Sequence, residues 1–483
     1  MESCRMKNRI PLYQKLIEFT KRDPISFHVP GHKNGEIFPL LAQKDFASIL
    51  KLDMTEIPGL DDLHAPTEAI AEAETGAARF FGADHTFFLV GGSTAGNLAM
   101  ILSVCRNGEK VIVQQNSHKS IMNGLELCNA RPIFLAPEYD QHAGRYTNPS
   151  LSALHQTLQE HPDAKAIMLT YPDYFGKTYP LREMIDLAHT YNIPVLVDEA
   201  HGVHFSLGSP LPPSALKLGA DAVVQSAHKM APAMTMASYL HLNSTLLSKQ
   251  RVAHFLQMIQ SSSPSYPLMA SLDLARYFLE SFTKENMEEA LESVQRIRRI
   301  LNQNTGWHVL EQSPSDDPFK TTLQINPGYT VREQATLLEE NGVYPELTTH
   351  HQLLMIHGLL PFQSEKKLEK TMKKINEKLK KDANHATIEI GGLYAEKTKA
   401  LALSYEAMNE RSVEKVPLRD GVGHIAAEAI IPYPPGIPIV LKGEKVKQEH
   451  IDGIEHLIDQ GIRIQQREDG LKIFSEDSSK ESQ

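Results

Sequence analysis

From about residue 85 to residue 229 the chain alternates short β-branched runs with helical stretches, and this rhythm constrains the fold more than any other feature. The runs are KVIVQQ (110–115), RPIFLA (131–136), KAIMLTYP (165–172), IPVLVDEA (193–200) and DAVVQSAHK (221–229). Between them lie GNLAMILSVC, SIMNGLELCNA and LREMIDLAHTYN, whose apolar residues recur at helical spacing. Strand, helix, strand at this spacing predicts an α/β fold with a mostly parallel sheet covered on both faces. Ligands of such sheets sit at the carboxyl ends of the strands, which is where DEAHG and SAHK fall.

The texture changes around SSSPSYP (261–267), after which MASLDLARYFLESF reads as a long helix. Residues 280–380 are charged and helix-rich, with KTTLQINP as a strand candidate, and predict a smaller α+β domain. The lysine-rich EKKLEKTMKKINEKLKKDANH reads as a solvated helix face running into a linker. Short strand-like pieces and AAEAIIPYPPGIPIVLKGE follow, and the end, SEDSSKESQ, reads as frayed.

A length of 483 residues exceeds one ordinary core and predicts two or three domains. With 41% hydrophobic and 22% charged residues and no apolar run that could span a bilayer, no membrane is expected as a partner. The polar N-terminus, MESCRMKNRIPLYQKLIEFT, has no apolar secretory core and points to the cytoplasm. Cys4, Cys105 and Cys128 have no CxxC spacing and read as reduced thiols without a zinc site. A net charge of −10 argues against a general nucleic-acid binder.

DEAHG (198–202) has a false friend in the DEAH-box helicases, and FGKT (175–178) supplies a Gly-Lys-Thr just upstream. A phosphate-cradling Walker A loop would need Gly at 171, and that position is Tyr171. A better reading joins Asp198 to Lys229. Pyridoxal phosphate needs a lysine to bind it and a carboxylate on its ring nitrogen, at one sheet edge and on different strands. Asp198 ends one expected strand, and Lys229 ends the next after a single helix-sized connection. Taken singly, the first reads as a helix cap and the second as a surface charge. VGGSTAGNLAM (90–100) offers Ser93, Thr94 and Ala95 at a helix start, where free N–H groups favour an anion, although such residues are often simple caps. His118 in NSHKS stands beyond the next strand, where an aromatic ring would cover the cofactor. The pairs His28/His32 and His201/His204 do not read as metal ligands, since Pro30 and Gly31 break the first and the second has no third ligand nearby.

With FHVPGHKNG (27–35), TEIPGLDDLHAP (55–66), GGSTAGN, HKS, VDEAHG, VVQSAHK, SSSPSYPLMASLDLAR and IIPYPPGIP in this order, the chain closely resembles the Orn/Lys/Arg decarboxylase family, and within it the short bacterial members. The resemblance runs from about residue 10 to residue 470. It implies a fold-type-I pyridoxal-phosphate enzyme with an N-terminal arm (1–60), a cofactor-binding large domain (61–270), a small α+β domain (271–385) and a C-terminal decarboxylase domain (386–483). By the same resemblance Lys229 carries the cofactor, Asp198 meets its pyridine nitrogen and His118 stacks on its ring. Ser93, Thr94, Ser226 and His228 serve its phosphate, and His201 lies beside the ring near the substrate carboxylate. A homodimer or higher homo-oligomer is implied, with SSSPSYP reaching the neighbouring cofactor. Two departures stand out: Asp173 in PDYFG where Thr is common, and SAH at 226–228 where STH is frequent.

The implied reaction is decarboxylation of a basic L-amino acid, with arginine favoured, lysine next and ornithine open, feeding polyamine synthesis. Asp61, Asp62 and Glu428 are the candidate partners of the substrate's distal cation, each with a bland alternative as a turn cap or a surface ion pair. An aminotransferase would use the same Lys and Asp but would want an Arg, and the quoted active-site motifs hold none. A relative that binds the cofactor without turnover is the other alternative.

Overall fold

A computed structural model describes residues 9–379, 394, 396–432, 436–459, 464 and 470–475. Cys4, the linker end of the lysine-rich segment, the centre of IIPYPPGIP and all but the first residue of SEDSSKESQ lie outside them. The chain forms two compact units: one of residues 1–104 and 181–283, the other of 105–180 and 284–483. In chain order the helices used below are α1 (Pro11–Thr20), α2 (Ala69–Phe81), α3 (Gly92–Val104), α4 (Lys119–Leu127) and α5 (Tyr266–Glu280). The strands are β1 (His85–Leu89), β2 (Lys110–Gln114), β3 (Arg131–Leu135), β4 (Ile167–Thr170), β5 (Val195–Asp198), β6 (Ala222–Ser226) and β7 (Ser238–Leu242).

In the first unit the strands run in the order β1, β7, β6, β5. β5 and β6 are parallel, with Asp198 opposite Val224. β7 then returns antiparallel against β6 and pairs antiparallel with β1, a turn-back that local sequence does not announce. β5 and β6 are buried along their whole length, as expected of strands covered on both faces. α2 forms because Ile70, Ala73, Ala77 and Phe81 recur on one face and are buried, and it stops where Gly82 takes a left-handed conformation with φ +75°. The Asp61 carboxylate accepts the N–H groups of Thr67, Glu68, Ile70 and Ala71 at the start of α2. Asp273 of α5, paired with Arg276 at 2.8 Å, likewise accepts the Leu12 and Tyr13 amides at the start of α1.

α3 lies close against β6 because residue 96 has no side chain. A Cβ at Gly96 would stand 2.6 Å from a Val224 methyl and 2.8 Å from a Leu89 methyl. Gly96→Ala gains about 1 kcal/mol of helix propensity but loses about 1–3 kcal/mol to overpacking. A net fall in stability is expected, read as a lower midpoint of thermal unfolding.

In the second unit β2 pairs in parallel with β3 and with β4, and Thr398–Ala400 adds an antiparallel strand to β3. A separate antiparallel sheet, Trp307–Val309, Lys320–Ile325, Gln352–Ile356 and Leu347–Thr348, packs through Trp307, Leu323 and Leu353 against Leu368, Met372 and Ile375. KTTLQI is therefore a strand, as expected of the candidate KTTLQINP. A further core gathers Ala426, Ile430, Val440, Ile451 and Ile473. No described helix is long and apolar enough to cross a membrane.

Candidate active site

The carboxyl ends of β5 and β6 hold the candidate residues. β5 stops at Asp198, a residue only 4% exposed. Asn97 Nδ2 of α3 donates to its Oδ2 at 2.8 Å, and the Ala200 N–H donates to its Oδ1 at 3.1 Å. β6 stops at Ser226, and one helical turn, Ala227–Met230, places Lys229. Lys229 Nζ lies 2.9 Å from Nε2 of the buried His201. One strand end thus supplies a buried carboxylate, and the end beside it supplies an amine in contact with an imidazole.

Three hydroxyls gather at the start of α3. Ser93 Oγ lies 2.7 Å from Ser226 Oγ and 3.3 Å from Ser238 Oγ. Ser238 stands directly opposite Ser226 in the β6–β7 register. The helix begins at Gly92, whose φ of +71° favours glycine, and its first turn holds the exposed Thr94 and the buried Ala95. Unpaired amides and hydroxyls at a helix N-terminus suit a phosphate. His228 is partly committed elsewhere: its Nδ1–H donates to the Ala237 carbonyl at 3.1 Å, and burial pulls its pKa down. Its Nε2 would donate to a phosphate only in the protonated ring.

His118 stands in the second unit as the N-cap of α4, where its Nδ1 accepts the Ser120 N–H at 3.2 Å. Asp173, also in that unit, accepts from Arg145 at 2.7 Å and from the amides of Phe175 and Lys177, so its carboxylate holds its own turn.

Among the substrate candidates, Asp61 is spent as a helix cap. Backbone N–H groups, Asp62's among them, occupy both of its oxygens and lower its pKa against the opposing effect of burial. The structure therefore corrects the expectation of Asp61 as a cation partner. Asp62 Oδ1 accepts the His64 amide, and Glu428 has Lys472 Nζ at 3.6 Å. Tyr266 fixes the end of SSSPSYP to the first unit. It is fully buried in its own chain with its hydroxyl on the Asp61 carbonyl at 2.6 Å, and Ser261, Ser262 and Ser263 stay exposed.

Two residues of this arrangement escaped sequence reading. Asn97 sits four residues after Ser93 on the same helix face, a spacing that could have exposed it. Ser238 had no such signal, because only the antiparallel return of β7 brings it opposite Ser226.

The described donor set fits pyridoxal phosphate: a buried carboxylate, a lysine amine and a hydroxyl-lined helix start. Comparison with known proteins gives the family. The family model for the Orn/Lys/Arg decarboxylase major domain matches residues 10–328, and the model for the C-terminal domain of that family matches 393–461. An uncharacterized Bacillus subtilis protein, YaaO, is 40% identical over 94% of this chain and 95% of its own length. Arginine decarboxylase of the same organism is 35% identical over 96% of each chain. Among solved structures, the Francisella novicida lysine decarboxylase LdcF superposes with a TM-score of 0.79 at 18% identity, covering 97% of this chain and 81% of that one.

Proposed function

The chain belongs to the Orn/Lys/Arg decarboxylase family, and from that premise we propose that it is a pyridoxal-phosphate-dependent decarboxylase of a basic L-amino acid, with arginine as first substrate and lysine second. The observation that carries the reading is the placement of buried Asp198 and of Lys229 with His201 at the ends of neighbouring parallel strands.

Lys229 would hold the cofactor, Asp198 would face its ring nitrogen, and His118 would cover its ring. Its phosphate falls to Ser93, Thr94, the Ala95 N–H, Ser226 and protonated His228. The bound cofactor supplies an electron sink for the pair left on the α-carbon when CO2 departs. Asp198, fixed by Asn97 and the Ala200 amide, keeps a proton at the ring nitrogen, so that the sink stays cationic. Lys229 Nζ returns a proton to the α-carbon, and His201 Nε2, 2.9 Å away, exchanges protons with it. Asp62 and Glu428 are the carboxylates proposed for the distal cation, Glu428 after release from Lys472.

Purified protein loaded with cofactor and given arginine, lysine and ornithine separately tests the reading. CO2 with agmatine, cadaverine or putrescine names the substrate. No CO2 from any of the three, with cofactor bound, turns the assignment to another pyridoxal-phosphate reaction, such as transamination, or to the relative without turnover. We place the enzyme in the cytoplasm, where its amine product would enter polyamine synthesis.

A second copy of the chain is the proposed partner. Phe27 and Leu41 are 94% and 92% exposed, and Ile25, Val29, Ile37 and Leu40 lie open beside them in sequence. So many large apolar side chains in one segment mark a surface that association covers. Phe27→Asp with Leu41→Asp is expected to convert a dimer into monomers, seen as a halved mass by light scattering.

A further inference from the structure

On the face of the first unit's sheet turned away from α3, a line of polar side chains is buried. Val224 of β6 meets Gly96 of α3, so Gln225, the next residue, points to the opposite face. There Thr86 Oγ1 of β1 lies 2.8 Å from His241 Nδ1 of β7, and His241 Nε2 lies 3.0 Å from Gln225 Oε1. Gln225 Nε2 donates to Glu199 Oε2 at 2.6 Å, and the Ala215 N–H donates to Glu199 Oε1 at 2.7 Å. Glu199, Gln225 and His241 have no exposed surface, and Thr86 has almost none. The thread therefore runs through β1, β7 and β6 to the exit of β5.

Its donors all point one way. Gln225 gives its N–H to Glu199, so its oxygen must receive the His241 Nε2–H, and Thr86 must donate to Nδ1. Burial pulls His241 down to about 3 and pushes Glu199 up to about 8, so any charge on the thread sits at Glu199. The following turn also wraps this side chain: a Cβ at Gly202 would stand 2.5 Å from Glu199 Cγ.

We infer that Glu199 is a positioning residue for the cofactor site. By clamping the exit of β5 to Gln225 and Ala215, it holds Asp198, just before it, and His201, two residues after it, in register with Ser226 and Lys229, which follow Gln225. The role rests on the cofactor reading given above. Glu199 itself faces away from the site and touches it only through its neighbours in the chain.

Exchanging the two polar groups tests the clamp. In Gln225→Glu two buried carboxyls meet with no amide N–H between them; above about pH 8, where Glu199 gives up its proton, they repel, and cofactor affinity measured there is expected to fall about 30-fold or more. The double exchange Glu199→Gln with Gln225→Glu restores every donor–acceptor match. Ala215 donates to the new amide oxygen, the new amide N–H donates to the new carboxylate, and His241 donates to the carboxylate's other oxygen. It is expected to bind cofactor within about threefold of the native protein. Glu199→Leu, of similar bulk but without the clamp, should bind about tenfold more weakly.

The readout is titration of cofactor-free protein with pyridoxal phosphate, followed by absorbance, beside thermal unfolding of each variant. Should Gln225→Glu fail to fold, the double exchange and Glu199→Leu still decide. Native affinity in Glu199→Leu, or a folded double exchange that binds as weakly as Glu199→Leu, overturns the inference alone. Failure of the native protein to take up cofactor overturns the reading beneath it as well.

Discussion

Lys229→Ala is expected to lower CO2 release from the preferred substrate by about 10⁴-fold or more, the scale on which loss of a covalent and proton-transferring group is felt. The side chain is partly buried with its Nζ on His201, so its removal costs little packing, and thermal unfolding should shift by only a few degrees. Lys229→Arg separates two explanations. A guanidinium keeps the positive charge but stays protonated and cannot serve as the attacking amine. Arg should therefore be as inactive as Ala, and both variants should lose the visible absorbance of lysine-bound cofactor. Turnover by either variant above the scale given would remove Lys229 from the centre of the site.

Asp198→Asn carries the second largest expected effect. The two side chains have the same shape, and the Asn97 N–H can still donate to the remaining oxygen. The Ala200 N–H would then face an amide NH2 at the place where it now donates to a carboxylate, a mismatch worth about 1–3 kcal/mol of stability. The loss in kcat should be far larger, about 10²–10³-fold, the usual cost of deleting one preorganised electrostatic partner. KM should move much less, because the carboxylate is assigned to the charge that develops during reaction and not to the substrate. A variant that loses affinity and keeps kcat would place Asp198 in substrate binding instead.

Much of the fold was legible in local pattern. Short β-branched apolar runs mark the strands and an apolar period of 3.6 residues marks the helices between residues 110 and 229, and strand ends in a parallel sheet point to one edge, so VLVD and AVVQS announce where Asp198 and Lys229 stand. Asp61 shows the limit of such reading. In GLDDLH two adjacent carboxylates look equally open to a cation, and only the packing of residues 67–71 around Asp61 commits it to backbone amides. Glu428 is similar, since nothing near it in sequence announces Lys472.

By itself the sequence determined which residue types stand at the strand ends and helix starts, because those positions follow from short-range backbone geometry and side-chain periodicity. The tertiary structure alone decided which of them meet. Asn97 reaches Asp198 across a separation of 101 residues, and Thr86 reaches His241 across 155. Such pairs depend on the strand order β1, β7, β6, β5, in which β7 turns back antiparallel. That order is set by how the whole unit buries its apolar surface, a property that no local window of sequence contains.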